Sequence, residues 1–241
     1  MSLPPFQWWR TVFFLIPVIG AGTIVLGTLS LLAGLVDRRG NLPHRVAQLW
    51  GRLIMKASSV RLERTGRPLP PDHESAVFVA NHGSFFDIPI IFTALPRQLR
   101  IMAKASLLYV PFIGWHLYRS GHVLVDRTKP GASIFKRMRR MARSGASLIV
   151  FPEGGRNNGT IQRFKAGIFL LAIEHHLPIV PVTIVGNRDV MPKGRLRVEP
   201  ARVRVVIHDA IPTSAMTRED ARPLAVRVEA VVQSAMGPIE P

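Results

Sequence analysis

Apolar and polar residues are unevenly spread along this 241-residue chain. From Thr11 to Val36 no charged residue interrupts TVFFLIPVIGAGTIVLGTLSLLAGLV. As one helix that run measures about 39 Å, against a bilayer hydrocarbon core of about 30 Å. Pro17, Gly20, Gly22 and Gly27 are places where such a helix can bend. The pattern therefore predicts a membrane-associated segment, and leaves open whether it spans the bilayer or lies in one face. Between Pro43 and Ser58, Val46, Leu49, Trp50, Leu53, Ile54 and Ala57 recur at helical spacing, with Arg45, Arg52 and Lys56 elsewhere around the helix. This predicts an amphipathic helix that packs on the core, rests on lipid, or does both.

Past the proline-bearing loop Gly66–His73, short apolar runs alternate with helical patterns. Ala76–Ala80, Arg100–Ala103, His122–Val125, Ser147–Phe151, Ile179–Val185 and Val203–Ile207 read as strands; Ile88–Ala94, Gly131–Ser144 and Phe164–His175 read as helices. A last helix is expected near Thr217–Ala235, with Pro223 interrupting or restarting it. The alternation predicts an α/β fold, a layered mixed sheet with flanking helices. The division expected is 1–58 as an N-terminal membrane-associated helical region and 59–241 as an α/β catalytic domain.

Charge changes the picture next. Lys and Arg total 32 against 15 Asp and Glu, a formal net charge of +17, which points to an acidic partner surface, either nucleic acid or anionic lipid. Zinc-finger, RNP-like and bZIP signatures are lacking, and the uncharged run is a poor companion to nucleic-acid binding, so the lipid surface is favoured. The apolar run exceeds the usual secretory h-region of about 7–15 residues, and no A-x-A-like site follows it. Arg38, Arg39 and Arg45 follow the run and only Arg10 precedes it, which places the rest of the chain on the cytoplasmic face of the cell inner membrane, with Trp8 and Trp9 as interfacial anchors. The chain has no cysteine, so disulfides, thiol nucleophiles and thiolate metal sites are excluded.

Two motifs carry the chemistry. Asn81-His82-Gly83-Ser84-Phe85-Phe86-Asp87 is an N-H-x(4)-D pattern at the end of a buried strand, where α/β folds place reactive side chains. His82 can take a proton from a hydroxyl, and Asp87 can hold the imidazole in one tautomer. Asp87 before Ile88-Pro89 also reads as a helix cap. Phe151-Pro152-Glu153-Gly154-Gly155-Arg156 follows the next buried strand; its glycines let backbone N–H groups face an anion, and Arg156 can pair bidentately with phosphate. Ser84 reads as a local backbone bonder rather than a nucleophile. His175-His176 read as a helix end, and His73, His116, His122 and His208 show no metal-ligand spacing.

With these motifs in order, the chain resembles the 1-acylglycerol-3-phosphate acyltransferase family of the glycerophospholipid acyltransferase superfamily, over roughly residues 43–210. The resemblance rests on His82 and Asp87, on Asp126-Arg127 after the strand His122–Val125, on Phe151–Arg156, and on Ile179-Val180-Pro181-Val182. Ala103-Lys104 and Phe164-Lys165-Ala166-Gly167 also sit where family members carry similar segments. One departure stands out: the third block commonly reads E-G-T-R, and here Gly155 takes the threonine's place.

The resemblance implies a glycerolipid acyltransferase-like fold and an acyltransferase that moves a fatty acyl group from an acyl thioester to the sn-2 hydroxyl of lysophosphatidate, giving phosphatidate. His82 and Asp87 would be catalytic. Arg127 and Arg156, with Lys104 as a third, would bind the acceptor phosphate, and Glu153, Gly154 and Gly155 would belong to the same site. Backbone N–H groups near Gly83 or Val182 are the candidates for an oxyanion hole. The donor would be acyl-CoA or acyl carrier protein, with no metal and no further cofactor, and the partner surface an anionic phospholipid membrane rather than nucleic acid. Lys136, Arg137, Arg139, Arg140 and Arg143 in Gly131–Ser144 would meet anionic lipid or the donor's acidic groups, or stand as a solvated helix. Alternatives are another lyso-lipid acceptor, such as lyso-ornithine lipid or a lysophospholipid, which the Gly155 departure keeps open, and, more distantly, a non-catalytic basic membrane or nucleic-acid-binding protein.

Overall fold

The computed structural model describes residues 5–37, 39–67, 75–125, 141 and 145–237. Its centre is a seven-stranded mixed sheet in the order β1-β7-β6-β2-β5-β3-β4. The strands are β1 (Arg61–Gly66), β2 (Val77–Ala80), β3 (Leu99–Lys104), β4 (Val123–Val125), β5 (Ser147–Val150), β6 (Ile179–Val185) and β7 (Arg202–Ile207). Strands β2 to β6 run parallel to one another, whereas β7 is antiparallel to β6 and carries β1 parallel beside it. Parallel strands are covered on both faces, and β2, β5 and β6 are buried at every position.

Alternation along β2 shows the two layers. Phe78 and Ala80 face a core shared with the N-terminal helices, while Val77 and Val79 face a second core on the other side. The first layer holds helix α1 (Phe6–Val36), α2 (Asn41–Ala57), α3 (Asp87–Ala94) and α4 (Ile113–Arg119). The second holds α5 (Gly167–Glu174) and α7 (Ala221–Ser234), with Phe169, Ala172 and Val228 fully buried against the sheet. A one-turn helix α6 (Asn187–Val190) follows β6.

Helix α1 is continuous, and three of its glycines serve packing rather than bending. A Cβ on Gly22, Gly27 or Gly34 would collide with Leu53, Phe112 or Arg119, so these residues let α2 and α4 approach closely. One turn over Thr11–Leu15 widens to π spacing just before Pro17, the residue without an N–H to give. Both ends of α1 are tied to the α/β body. Arg10 donates to the Ala57 carbonyl at 2.9 Å and Thr11 Oγ1 accepts the Val198 N–H at 2.9 Å; at the other end Ser30 Oγ meets His116 Nδ1 at 2.5 Å. Asp37 closes the α1–α2 turn by accepting the N–H groups of Arg39, Gly40 and Leu42, the Leu42 bond doing most to hold its carboxyl below the usual range.

Helix α2 packs on the core: Ala47, Ile54 and Met55 join the first core, and Trp50 Nε1 donates to Thr23 Oγ1 of α1 at 2.9 Å. Its Arg45, Arg52 and Lys56 remain exposed. The segment expected as the last helix divides into a 3₁₀ turn, Arg218–Asp220, and α7, which restarts the helix with Pro223 in its first turn, where a missing N–H costs nothing. Strand β1 and helix α4 went unseen in the pattern: β1 is an edge strand of alternating charge, held by its backbone ladder to β7. The basic stretch Gly131–Ser144 lies outside the described residues except Met141, which is buried.

Candidate active site

The carboxyl ends of β2, β5, β3 and β6 point to one edge of the sheet, and both motifs start there. Asn81 ends β2 by pairing its side chain with the next strand: Nδ2 donates to the Ile184 carbonyl at 2.9 Å and Oδ1 accepts the Ile184 N–H at 2.8 Å. An amide side chain thus continues the β2–β6 ladder while the backbone turns away, which frees His82 to stand above the sheet.

His82 Nδ1 lies 2.6 Å from Asp87 Oδ2, and its ring stacks on Phe151 with centroids 4.5 Å apart. The imidazole side chain is 21% exposed and the Asp87 carboxylate fully buried. Asp87 is the first residue of α3, but its carboxylate faces back rather than capping the helix: Oδ2 also accepts the N–H groups of Gly83 and Ser84, at 2.9 and 3.0 Å. Oδ1 accepts from Asn187 Nδ2 at 2.6 Å. Four donors hold the carboxylate in place, and because Oδ2 accepts from the imidazole, Nδ1 of His82 carries the proton and Nε2 is left as the base.

These bonds remove two sequence-based candidates. The Gly83 N–H is committed to Asp87, and Val182 sits in mid-β6 between β2 and β7, so neither is an oxyanion donor. Ser84 is fully buried; its Oγ donates to the Met191 carbonyl at 3.0 Å and accepts the Phe86 N–H.

The Phe151–Arg156 segment folds over the same edge. Glu153 is buried and turned inward: its carboxylate accepts the His82 N–H at 2.5 Å, the Gln162 N–H at 2.8 Å, and Asn157 Nδ2 at 3.0 and 3.1 Å. Its acceptors therefore bind the two motif loops together instead of facing an acceptor molecule. Gly154 adopts a left-handed φ of +76°, and a Cβ there would strike Lys165 Nζ. A Cβ on Gly155 would meet open space. Among the described residues the Gly155 and Arg156 N–H groups have no protein acceptor, so they remain free for an anion.

Arg156 lays its guanidinium over the Phe85 ring, 3.5 Å from the centroid. Its carbonyl accepts from Lys193 Nζ at 2.9 Å. Lys104 is exposed at the carboxyl end of β3, on the same edge but two strands from β2. Arg127 lies outside the described residues, just past β4. Among the described residues no cluster of His, Asp and Glu has metal-binding geometry.

The acyltransferase family profile matches residues 47–185, which cover the His82 loop, the Phe151–Arg156 loop and six of the strands between α2 and α6 in part or whole. The chain belongs to the acyltransferase family. Over 174 residues it is 33% identical to a 1-acyl-sn-glycerol-3-phosphate acyltransferase of Chlamydomonas reinhardtii, covering 70% of this chain and 52% of that one. Over 207 residues it is 32% identical to a chloroplastic 1-acyl-sn-glycerol-3-phosphate acyltransferase of Brassica napus, covering 80% of this chain and 59% of the relative. The chain thus spans little more than half the length of these curated relatives. Its fold matches the crystal structure of the 1-acyl-sn-glycerophosphate acyltransferase PlsC from Thermotoga maritima with a TM-score of 0.80, at 21% identity, over 98% of this chain and all of that one.

Sequence reasoning missed three supporting residues. Asn187 fixes Asp87 from the carboxyl end of β6, a polar residue just past a fully buried strand, which was the available signal. Asn157 braces Glu153. Arg188 passes its stem over Gly83, where a Cβ would come within 2.8 Å of Arg188 Cγ, and so adds a cation beside the His82 loop.

Proposed function

We propose that this chain transfers a fatty acyl group from an acyl thioester to the sn-2 hydroxyl of 1-acyl-sn-glycerol-3-phosphate, giving phosphatidate for phospholipid synthesis. The observation that carries the reading is the 2.6 Å contact of His82 Nδ1 with a buried, fully engaged Asp87, which leaves Nε2 as base beside a loop bearing Arg156. The names of the relatives support the acceptor. His82 Nε2 takes the hydroxyl proton as the oxygen attacks the thioester carbonyl; Asp87 stabilises the imidazolium; the proton then passes to the departing thiolate. Arg156 and the free N–H groups of Gly155 and Arg156 hold the phosphate, with Lys104 and Arg127 as further cations. No metal or cofactor enters this scheme, and the donor is acyl-CoA or acyl carrier protein.

The same reading places the protein on the cytoplasmic face of the inner membrane. Helix α1 is 31 residues long and only 11% of its most apolar window is buried, so it offers lipid a long apolar side. Contacts at both its ends with one α/β body favour α1 lying in the membrane face over crossing it. The basic charge is then matched to anionic headgroups.

The test is thiol release from acyl-CoA or acyl carrier protein by detergent-solubilised protein with lysophosphatidate, the lipid product identified by mass spectrometry. Wild type forms phosphatidate; His82→Ala loses at least a hundredfold in kcat, in line with the about 10²–10⁴ contributed by a general base. Phosphatidate formed equally by His82→Ala would sink the mechanism. Product from lyso-ornithine lipid or a lysophospholipid, with none from lysophosphatidate, would establish the second reading.

A further inference from the structure

A second uncharged segment lies on the outside of the molecule. Between Lys104 and Arg119 the fourteen residues ASLLYVPFIGWHLY carry no formal charge apart from what His116 can acquire. They form a 3₁₀ turn, Ala105–Tyr109, and most of α4. Five large side chains face outward: Leu107 is 38% exposed, Tyr109 85%, Val110 38%, Trp115 49% and Tyr118 66%. Core packing does not explain them, because α4 buries only Gly114 and Leu117.

The segment is strapped along the second half of α1. Phe112 occupies the space above Gly27, His116 pairs with Ser30, and Arg119 lies over Gly34. On its outer side the same half of α1 exposes Leu29, Leu32 and Leu35. Two stretches distant in sequence thus expose apolar side chains in the same part of the molecule. The added part is aromatic rather than aliphatic, and exposed cations, Lys104 and Arg119, bracket it. Tyr and Trp beside cations is the composition suited to the boundary between acyl chains and anionic headgroups.

We propose that residues 105–118 are a second membrane-contact element, docking on the headgroup–acyl boundary of an anionic bilayer beside α1. Docking there sets Lys104, at the carboxyl edge of the sheet, level with lipid headgroups, so that a lyso-lipid reaches the His82 edge without leaving the interface. The inference rests on the reading of α1 as an in-plane membrane helix.

Because the chain has no cysteine, single cysteines can be introduced and labelled with the environment-sensitive dye NBD. The positions are Tyr109→Cys and Tyr118→Cys in the segment, Leu29→Cys on α1, and Val226→Cys on the opposite layer. Vesicles of phosphatidylcholine and phosphatidylglycerol carrying nitroxide lipids should quench the dye at 109, 118 and 29, and spare it at 226. Quenching at 29 with 109 and 118 behaving like 226 overturns this inference and leaves α1 in the membrane; no quenching at 29, 109 or 118 overturns both. Shielding of 109 and 118 without vesicles, in a chain that sediments as a dimer, assigns the face to a second copy and also overturns it. Tyr109→Asp with Tyr118→Asp should lower partition onto these vesicles about tenfold without shifting the melting temperature, since both side chains are exposed. Unchanged partition rejects the proposal.

Discussion

At the scale of single residues, Phe85 is the side chain whose exposure needs a reason. It is 61% exposed between His82 and Asp87, yet its ring carries the Arg156 guanidinium. Stacking on the ring face leaves the in-plane N–H groups of Arg156 pointing outward, the geometry that grips a phosphate bidentately. Phe85→Leu removes a cation–π contact of about 0.5–1 kcal/mol and should raise KM for lysophosphatidate about two- to fivefold with kcat little changed; Phe85→Trp should restore it. An unchanged KM in Phe85→Leu would mean that the stack positions nothing. Gly155 poses the opposite question. Its Cβ direction is open, so Gly155→Thr should fold as wild type, within about 0.5 kcal/mol by denaturant titration. If the threonine hydroxyl serves phosphate recognition, the same variant lowers KM for lysophosphatidate relative to a neutral-headgroup lyso-lipid; an equal effect on both acceptors argues against that role.

At the scale of elements, the site depends on two loops from neighbouring strands, β2 and β5, locked by one buried carboxylate. Glu153 holds the His82 backbone N–H, while Asn157 and the Gln162 N–H hold Glu153. Glu153→Gln keeps the shape but turns an NH₂ toward these donors, leaving buried groups unpaired at about 1–3 kcal/mol. The expected result is a lower melting temperature and a kcat reduced at least tenfold, with KM for the acceptor moved less because no Glu153 oxygen faces it. A rise in KM alone, with kcat and melting unchanged, would return Glu153 to the acceptor site. The motif spacing showed that Glu153 matters, but both inward and outward orientations fit the same six residues.

At the scale of the whole molecule, a buried polar cluster joins the N-terminal helices to the sheet. His44 of α2, His116 of α4, His122 before β4 and Arg100 of β3 lie together, with the Asp37 charge near Arg100 and the Arg97 backbone near His44. Burial first, and the Arg100 charge second, push His44 and His116 down to about 4; burial and its cationic neighbours hold His122 well below its usual range. These histidines are neutral in the folded chain and take up protons near pH 6.5 when unfolded. Their contribution to stability is complete above that pH and is lost as pH falls from about 6.5 toward 4. Melting temperature should therefore drop on acidification from pH 7 to 5, and His116→Asn should flatten that dependence; an identical slope in the variant would remove His116 from the cause. The apolar run, the parallel strands and the order of the chemical motifs were legible in the sequence, because each is a local pattern of burial or spacing that one stretch of chain must satisfy by itself. The charged edge strand β1, the inward turn of Glu153, the bracing of Asp87 by Asn187 one hundred residues away, and the docking of α1 along the body were not. Each depends on which distant partner supplies a hydrogen bond or a packing surface, and only the folded chain brings those partners together.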